Sequence, residues 1–205
     1  MNKSFRFLIA FFLLMKIFFT PNIFSQQKDF HKLPLPDIAS ENSHYRLIQI
    51  KEQNFLLFTL ENYSLIRRGS SDAGYTWSNA VTLVEGTGLD DRVNWFDAHH
   101  VGNNKIYLLY KQRNVSGTFL KVSTDLGVSW GTKIEFVGVF EYRNTSFFTT
   151  SIGETYFIFD DRYFTRFTSD TSWTIPKIFP GVGTTRNLSL VETTNGLLKV
   201  YYSPY

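Results

Sequence analysis

Four arginines recur along this 205-residue chain, Arg46, Arg92, Arg143 and Arg186, each just ahead of or at the start of a short strand-like segment. They stand 8, 12, 10 and 10 residues before the turn residues Asn54, Asn104, Gly153 and Gly196. All four separations are even, and even offsets keep strand side chains on one face. Guanidinium groups that converge in this way would grip a carboxylate or another oxyanion, because arginine donates in a planar fork. Turn lengths differ, so Arg143 and Arg186 are the pair in register by sequence. A plainer reading leaves the arginines as solvated entry-loop residues beside acidic neighbours such as Asp91 and Glu141. Acid or base chemistry could draw on Asp90, Asp91, Asp97 and Glu141, and Trp95 and Tyr142 could stack on a ring-shaped ligand. His99 and His100 are adjacent and would point to opposite faces of a strand, so one metal ion could not take both. No metal and no cofactor is expected.

The elements that must position these residues come from a repeat. Ser70-Ser71-Asp72-Ala73-Gly74-Tyr75-Thr76-Trp77 and Ser123-Thr124-Asp125-Leu126-Gly127-Val128-Ser129-Trp130 share the pattern Ser-x-Asp-x-Gly-x-Thr/Ser-Trp, and their aspartates lie 53 residues apart. Each position has a physical role in a tight turn. Serine and aspartate oxygens accept from nearby backbone N–H groups, glycine supplies a positive φ, and the tryptophan is expected to clamp the turn onto its own sheet. A shortened copy, Thr168-Ser169-Asp170-Thr171-Ser172-Trp173, lacks the glycine and follows 45 residues after Asp125.

Aligned on these turns, the chain reads as short strands separated by turn residues, the signature of an all-β repeat protein. The first unit, 44–87, has expected strands at 46–50, 55–60, 64–69 and 81–84. The second, 88–139, has them at 94–100, 106–111, 118–123 and 133–137. The third, 140–182, has them at 146–151, 155–159, 163–168 and 175–179. The fourth, 183–205, holds two, at 187–192 and 197–202.

The repeated pattern resembles the Asp box of sialidase-type (neuraminidase) propellers, the bacterial neuraminidase repeat. The resemblance implies a β-propeller of four-stranded antiparallel blades, with about three and a half blades in this chain and Ser70, Asp72, Gly74, Thr76, Trp77, Ser123, Asp125, Gly127, Ser129, Trp130, Asp170 and Trp173 as structural box residues. It implies either part of a six-bladed ring or a small ring closed by an outer strand from 26–43, where Lys32-Leu33-Pro34-Leu35-Pro36 echoes the strand after each tryptophan. It further implies a glycan ligand, terminal sialic acid or another anionic sugar, held by arginines, and an exo-acting glycoside hydrolase if the protein is an enzyme. The family's early Arg-Ile-Pro tripeptide is absent. Leu65-Ile66-Arg67-Arg68-Gly69-Ser70 matches the strand before the first box, but Glu61-Asn62-Tyr63-Ser64 has Asn and Ser where the family places its acid/base aspartate. A non-catalytic module recognising glycan or protein is the alternative.

Residues 1–25 read as a signal peptide. Lys3 and Arg6 precede an apolar run from Phe7 to Phe19, interrupted by Lys16 and too short to span a bilayer. The expected destination is secreted, periplasmic or cell-surface, with no membrane span after signal removal. The chain has no cysteine, so an exported product folds without disulfides and carries no lipid-modified cysteine. Hydrophobic residues make up 43% and aromatic ones 18%, enough for a packed all-β core. A net charge of +3 with no Lys/Arg run gives nucleic acid no footing.

Overall fold

The computed structural model describes residues 44–136, 146–159, 163–178 and 185–204, of which 185–189 and 202–204 by backbone alone. The expected signal segment, the expected closing strand in 26–43, Glu141, Tyr142 and Arg143 lie outside the described residues, as does the Arg186 side chain. Everything described belongs to one unit, Pro34–Tyr205.

Period-two apolar segments and Asn/Gly turns yield fifteen strands among the described residues, with no helix between them. The first sheet is a meander of β1 (Tyr45–Gln49), β2 (Phe55–Glu61), β3 (Ser64–Ser70) and β4 (Val81–Val84). The second repeats it with β5 (Val93–Gly102), β6 (Lys105–Gln112), β7 (Thr118–Ser123) and β8 (Ile134–Phe136). The third comprises β9 (Ser146–Thr149), β10 (Thr155–Phe159) and β11 (Tyr163–Ser169), with β12 (Ser172–Trp173) and β13 (Lys177–Ile178) both pairing with β11. A final hairpin joins β14 (Thr185–Glu192) to β15 (Leu198–Pro204). All pairings are antiparallel.

Each sheet is apolar on both faces, so it must be covered by its neighbours, and the cores lie between consecutive units. Leu56, Phe58 and Leu65 of the first unit pack with Phe96, Ile106, Leu108 and Tyr110 of the second. Tyr107, Leu109 and Phe136 of the second pack with Phe147, Phe157, Phe159 and Phe167 of the third. Ile158 and Phe164 of the third meet Leu190 and Val200 of the fourth. Four-stranded antiparallel sheets stacked face to face, with β1, β5 and β9 leading their units, make the architecture a β-propeller of incomplete described extent.

The two Ser-x-Asp-x-Gly turns are built alike. Ser70 Oγ donates to Asp72 Oδ1 and accepts from Gly74 N, both at 2.8 Å, and Asp72 accepts from the amide and hydroxyl of Thr76 at 2.9 and 2.6 Å. Ser123, Asp125, Gly127 and Ser129 reproduce every one of these bonds at 2.5–3.0 Å. Gly74 and Gly127 take positive φ of 89° and 82°, as the turn requires.

Two expectations about these turns change. Two of the tryptophans reach into the preceding unit: Trp130 packs edge-on against Phe58 at 6.2 Å, and Trp173 stacks on Phe136 at 4.3 Å while also meeting Phe167 of its own unit at 6.1 Å. Gly127 matters for the same docking, since a Cβ there would lie 2.9 Å from Leu56 Cδ1. The shortened third copy keeps one local bond, from Thr171 N to Ser169 Oγ at 3.3 Å, but its aspartate turns outward. Without its glycine it closes as a tight hairpin between Ser169 and Ser172, and Asp170 accepts from Lys105 Nζ and Tyr107 OH of the second unit, both at 2.9 Å.

Hydrogen bonds from Thr76 and from Ser129, their side chains first, hold the Asp72 and Asp125 carboxyls down to about 2, below the ordinary 3.8. A lowered carboxyl contributes stability above its unfolded value and loses it as pH falls through the folded one. Asp125→Asn is therefore expected to lower the thermal midpoint at pH 6 and to close that gap on titration from pH 4 to pH 2. An unchanged gap across that window, measured by circular dichroism melts, would assign Asp125 no electrostatic part in the turn.

Candidate functional site

The leading strands converge on a cavity of about 400 Å³, walled by Arg46 to Gln49 of β1, Asp97 to His100 of β5, and Ser146 and Phe147 of β9. Register explains the gathering. Ser70 and Ser123 lie opposite Phe55 and Ile106, and Arg46 and Asp97 lie opposite the third residues after those, Phe58 and Leu109. Arg46 and Asp97 thus hold equivalent positions in successive units and carry opposite charges.

They bind each other. Arg46 Nε donates to Asp97 Oδ1 at 2.7 Å, and the same oxygen accepts from Ala98 N at 2.9 Å. The aspartate side chain is 4% exposed and the arginine 42%. Arg46 is engaged through Nε alone among the described residues, so its two terminal amino groups remain as donors for a ligand. Burial pushes the Asp97 carboxyl up to about 6, against the opposing pull of the Arg46 charge and hydrogen bond.

His99 and His100 follow one another on β5 and have different surroundings. The His99 ring stacks on Phe147 at 5.5 Å and 9°, with Nε2 3.1 Å from Thr149 Oγ1. Burial, then the charges of His100 and Arg46, lower it to about 4, so it is neutral at physiological pH. His100 Nε2 is buried without a partner among the described residues. Ahead of β1, His44 Nε2 meets the Phe96 carbonyl at 2.9 Å with its ring edge-on to Phe96. No three His, Asp or Glu side chains gather as a metal site among the described residues.

Of the four arginines, the structure brings Arg46 to the cavity. Arg92 does not join it: it precedes β5, and its Nε donates to Asn94 Oδ1 at 2.9 Å. The even spacing misled because Asn54 and Asn104 are not equivalent turn positions: Asn54 stands one residue before Phe55, Asn104 two before Ile106, and Arg92 lies ahead of β5 altogether. Arg143 lies outside the described residues, and Arg186 sits in β14 with its backbone alone described. Asp91 serves its own loop, and Asp90 ties that loop to the turn between β6 and β7. Asp91 caps the amides of Thr87 and Gly88 at 2.8 Å, and Asp90 accepts from Asn114 at 3.3 Å. Trp95 is a core residue against Phe157 at 6.4 Å. Sequence reasoning did not single out Phe147, Ser146 or Gln49. Aligning the leading strands on the turn serines, not on the arginines, would have placed Asp97 opposite Arg46.

No protein-family model matches the chain, and no curated protein matches it. Solved structures do. An α-L-arabinofuranosidase from Fusarium graminearum, bound to an iminosugar inhibitor, superposes with a TM-score of 0.53 at 12% identity over 74% of this chain and 49% of its own. A protein of unknown function from Dyadobacter fermentans gives 0.52 at 15% identity over 78% and 56%. A bifunctional GH43-CE protein of Bacteroides eggerthii gives 0.51 at 12% identity over 77% and 24%. The chain spans about half the length of the first two and a quarter of the third. At such identities the likeness is one of fold, and it places this chain among the β-propellers.

Proposed function

We propose that this protein is an exported, Asp-box propeller of the sialidase type that binds glycans, anionic ones foremost, in the cavity between its leading strands. One observation carries the reading: Arg46 is held by Asp97 through Nε and offers its remaining donors to a cavity of about 400 Å³. The Phe147–His99 stack, Ser146 and Gln49 line the same space with the mixture of apolar face and hydroxyl or amide groups that sugars require. The identical bonding of the two turns supports reading them as Asp boxes, and the fold is shared with an arabinofuranosidase.

Binding fits better than hydrolysis. The described lining holds a single carboxyl, Asp97, already engaged by Arg46 and Ala98, and no tyrosine. Glycoside hydrolysis uses a pair of carboxyls, or in sialidases a tyrosine nucleophile. Calorimetric titration with sialyllactose and with lactose tests the reading. The sialylated ligand is expected to bind more tightly, and Arg46→Met to weaken it roughly tenfold, the worth of one charged hydrogen-bond pair. Equal affinity for both ligands, or full affinity in the folded variant, removes Arg46 from the site. A fluorogenic sialoside is expected to show no turnover above background; turnover that Asp97→Asn abolishes would establish the enzyme instead.

A further inference from the structure

A second groove lies away from the leading strands, between β4 of the first unit and β6 and β7 of the second. It is about 450 Å³ and shares no residue with the first cavity. Tyr110, Gln112, Lys121, Lys133, Thr132 and Glu85 are its polar lining.

The repeat shows what is unusual about it. Arg68 lies opposite Leu57 and Lys121 opposite Leu108, so Thr59, Glu61 and Arg68 of the first unit correspond to Tyr110, Gln112 and Lys121 of the second. In the first unit the three satisfy one another: Arg68 grips both oxygens of Glu61, and Thr59 Oγ1 donates to Glu61 at 2.5 Å. In the second unit the carboxylate is replaced by an amide. Gln112 turns away to the carbonyls of Glu85 and Asp91, both at 3.1 Å, and Lys121 reaches the Leu83 carbonyl at 2.9 Å. The Tyr110 hydroxyl has no partner among the described residues, although the residue is 1% exposed and lines the groove.

Lys133, whose Nζ stands 4.6 Å from the Phe119 ring centroid, brings a second ammonium close enough to perturb Lys121. Neither lysine has a carboxylate partner among the described residues. Two ammonium groups without a carboxylate partner among the described residues, and an idle hydroxyl, therefore line one space. Lys121, Lys133 and the Tyr110 hydroxyl are three separate point donors, and a sulfate ester offers three terminal oxygens where a carboxylate offers two. Glu85 on the same groove leaves a balance of one positive charge, which matches a sulfate ester and disfavours a dianionic phosphate.

We propose that this groove binds a sulfate ester carried by a sugar, with Lys121, Lys133 and the Tyr110 hydroxyl as donors. The sugar half of the assignment rests on the glycan reading above; the sulfate half does not. The test is titration of the isotope-labelled full chain, followed by amide chemical shifts at constant ionic strength, with galactose 6-sulfate, inorganic sulfate, galactose 6-phosphate and glucuronate. Galactose 6-sulfate is expected to bind saturably and more tightly than the phosphate or the uronate, with inorganic sulfate competing for the same shifts. Gln112→Glu rebuilds the first unit's ion pair at the loss of the two bonds to the Glu85 and Asp91 carbonyls and is expected to weaken binding roughly tenfold, while Lys133→Gln, which leaves those bonds in place, is expected to cost about fivefold. Arg46→Met is expected to leave this binding unchanged, which separates the two sites. Absence of saturable shifts, or affinity indifferent to both groove variants, overturns the site; binding of inorganic sulfate with none of galactose 6-sulfate overturns its assignment to a glycan.

Discussion

Phe157→Ala is expected to lower the unfolding free energy by about 3–5 kcal/mol, the range for truncating a buried phenylalanine. Phe157 is fully buried on β10 and touches rings of two units: Phe147 at 4.9 Å, Phe159 at 5.6 Å, Phe136 at 5.8 Å and Trp95 at 6.4 Å. Its removal opens a void that rigid, interlocked rings cannot collapse to fill, so the cavity penalty adds to the lost transfer energy. A domain of this size is stable by about 5–15 kcal/mol, so the variant would lie close to its unfolding threshold. The effect should also reach the candidate site. Phe147 loses its nearest packing partner and is the ring on which His99 stacks, so the histidine signals should broaden before global unfolding. Urea titration followed by fluorescence measures the first effect and histidine proton spectra the second. A loss below about 1.5 kcal/mol, the range for a well-tolerated swap, would mean that the third unit packs otherwise than described.

Most strands could be read to within a residue or two because two local signals agreed. Apolar side chains alternate or run continuously between turn residues such as Asn54, Asn62, Gly102 and Asn114, and the serine and aspartate of each turn bond within eight residues of themselves. What depended on contacts between units was not legible. Trp130 gives no sign in the sequence that it will lie against Phe58 of the preceding sheet, and Asp170 looks like its two homologues although it binds Lys105 and Tyr107 across the interface. The site suffered most. Arginines recurring at similar intervals suggested equivalence, yet the residue equivalent to Arg46 is an aspartate, because evolution of a repeat preserves backbone positions and not side-chain charge. Asp97 stands nine residues before Ile106 as Arg46 stands nine before Phe55, a match that the unlike spacing of Asn54 and Asn104 from those strands conceals.

Arg46→Met is expected to destabilise the protein by about 2 kcal/mol at pH 7.5 and to have little effect at pH 4. Breaking a buried ion pair costs about 3–5 kcal/mol, and the partial exposure of Arg46 places this pair below that range. The pH dependence follows from Asp97. Its carboxyl is raised by burial from 3.8 to about 6, a preference for the protonated form of about 3 kcal/mol. A raised carboxyl contributes stability that is complete below the unfolded value and is lost as pH climbs through the folded one, here between about pH 4 and pH 6. Above that window Asp97 is ionised in a site that exposes 4% of its side chain, and Arg46 is the charge that makes this tolerable. Removing the guanidinium drives the carboxyl higher still, so the penalty appears only where the wild-type aspartate is charged. Asp97→Asn, which keeps the shape and discards the charge, should flatten the profile between pH 4 and pH 6 and make Arg46→Met nearly neutral when the two are combined. Urea unfolding of the four proteins at pH 4 and pH 7.5 completes the cycle. If Arg46→Met costs the same at both pH values, or the same in the asparagine background, the arginine acts by packing its stem, and a ligand anion would find no freed charge when Asp97 takes up a proton. If the cycle closes as expected, the pair sets the pH at which the cavity becomes net positive, and affinity for an anionic sugar should rise as pH falls through 6.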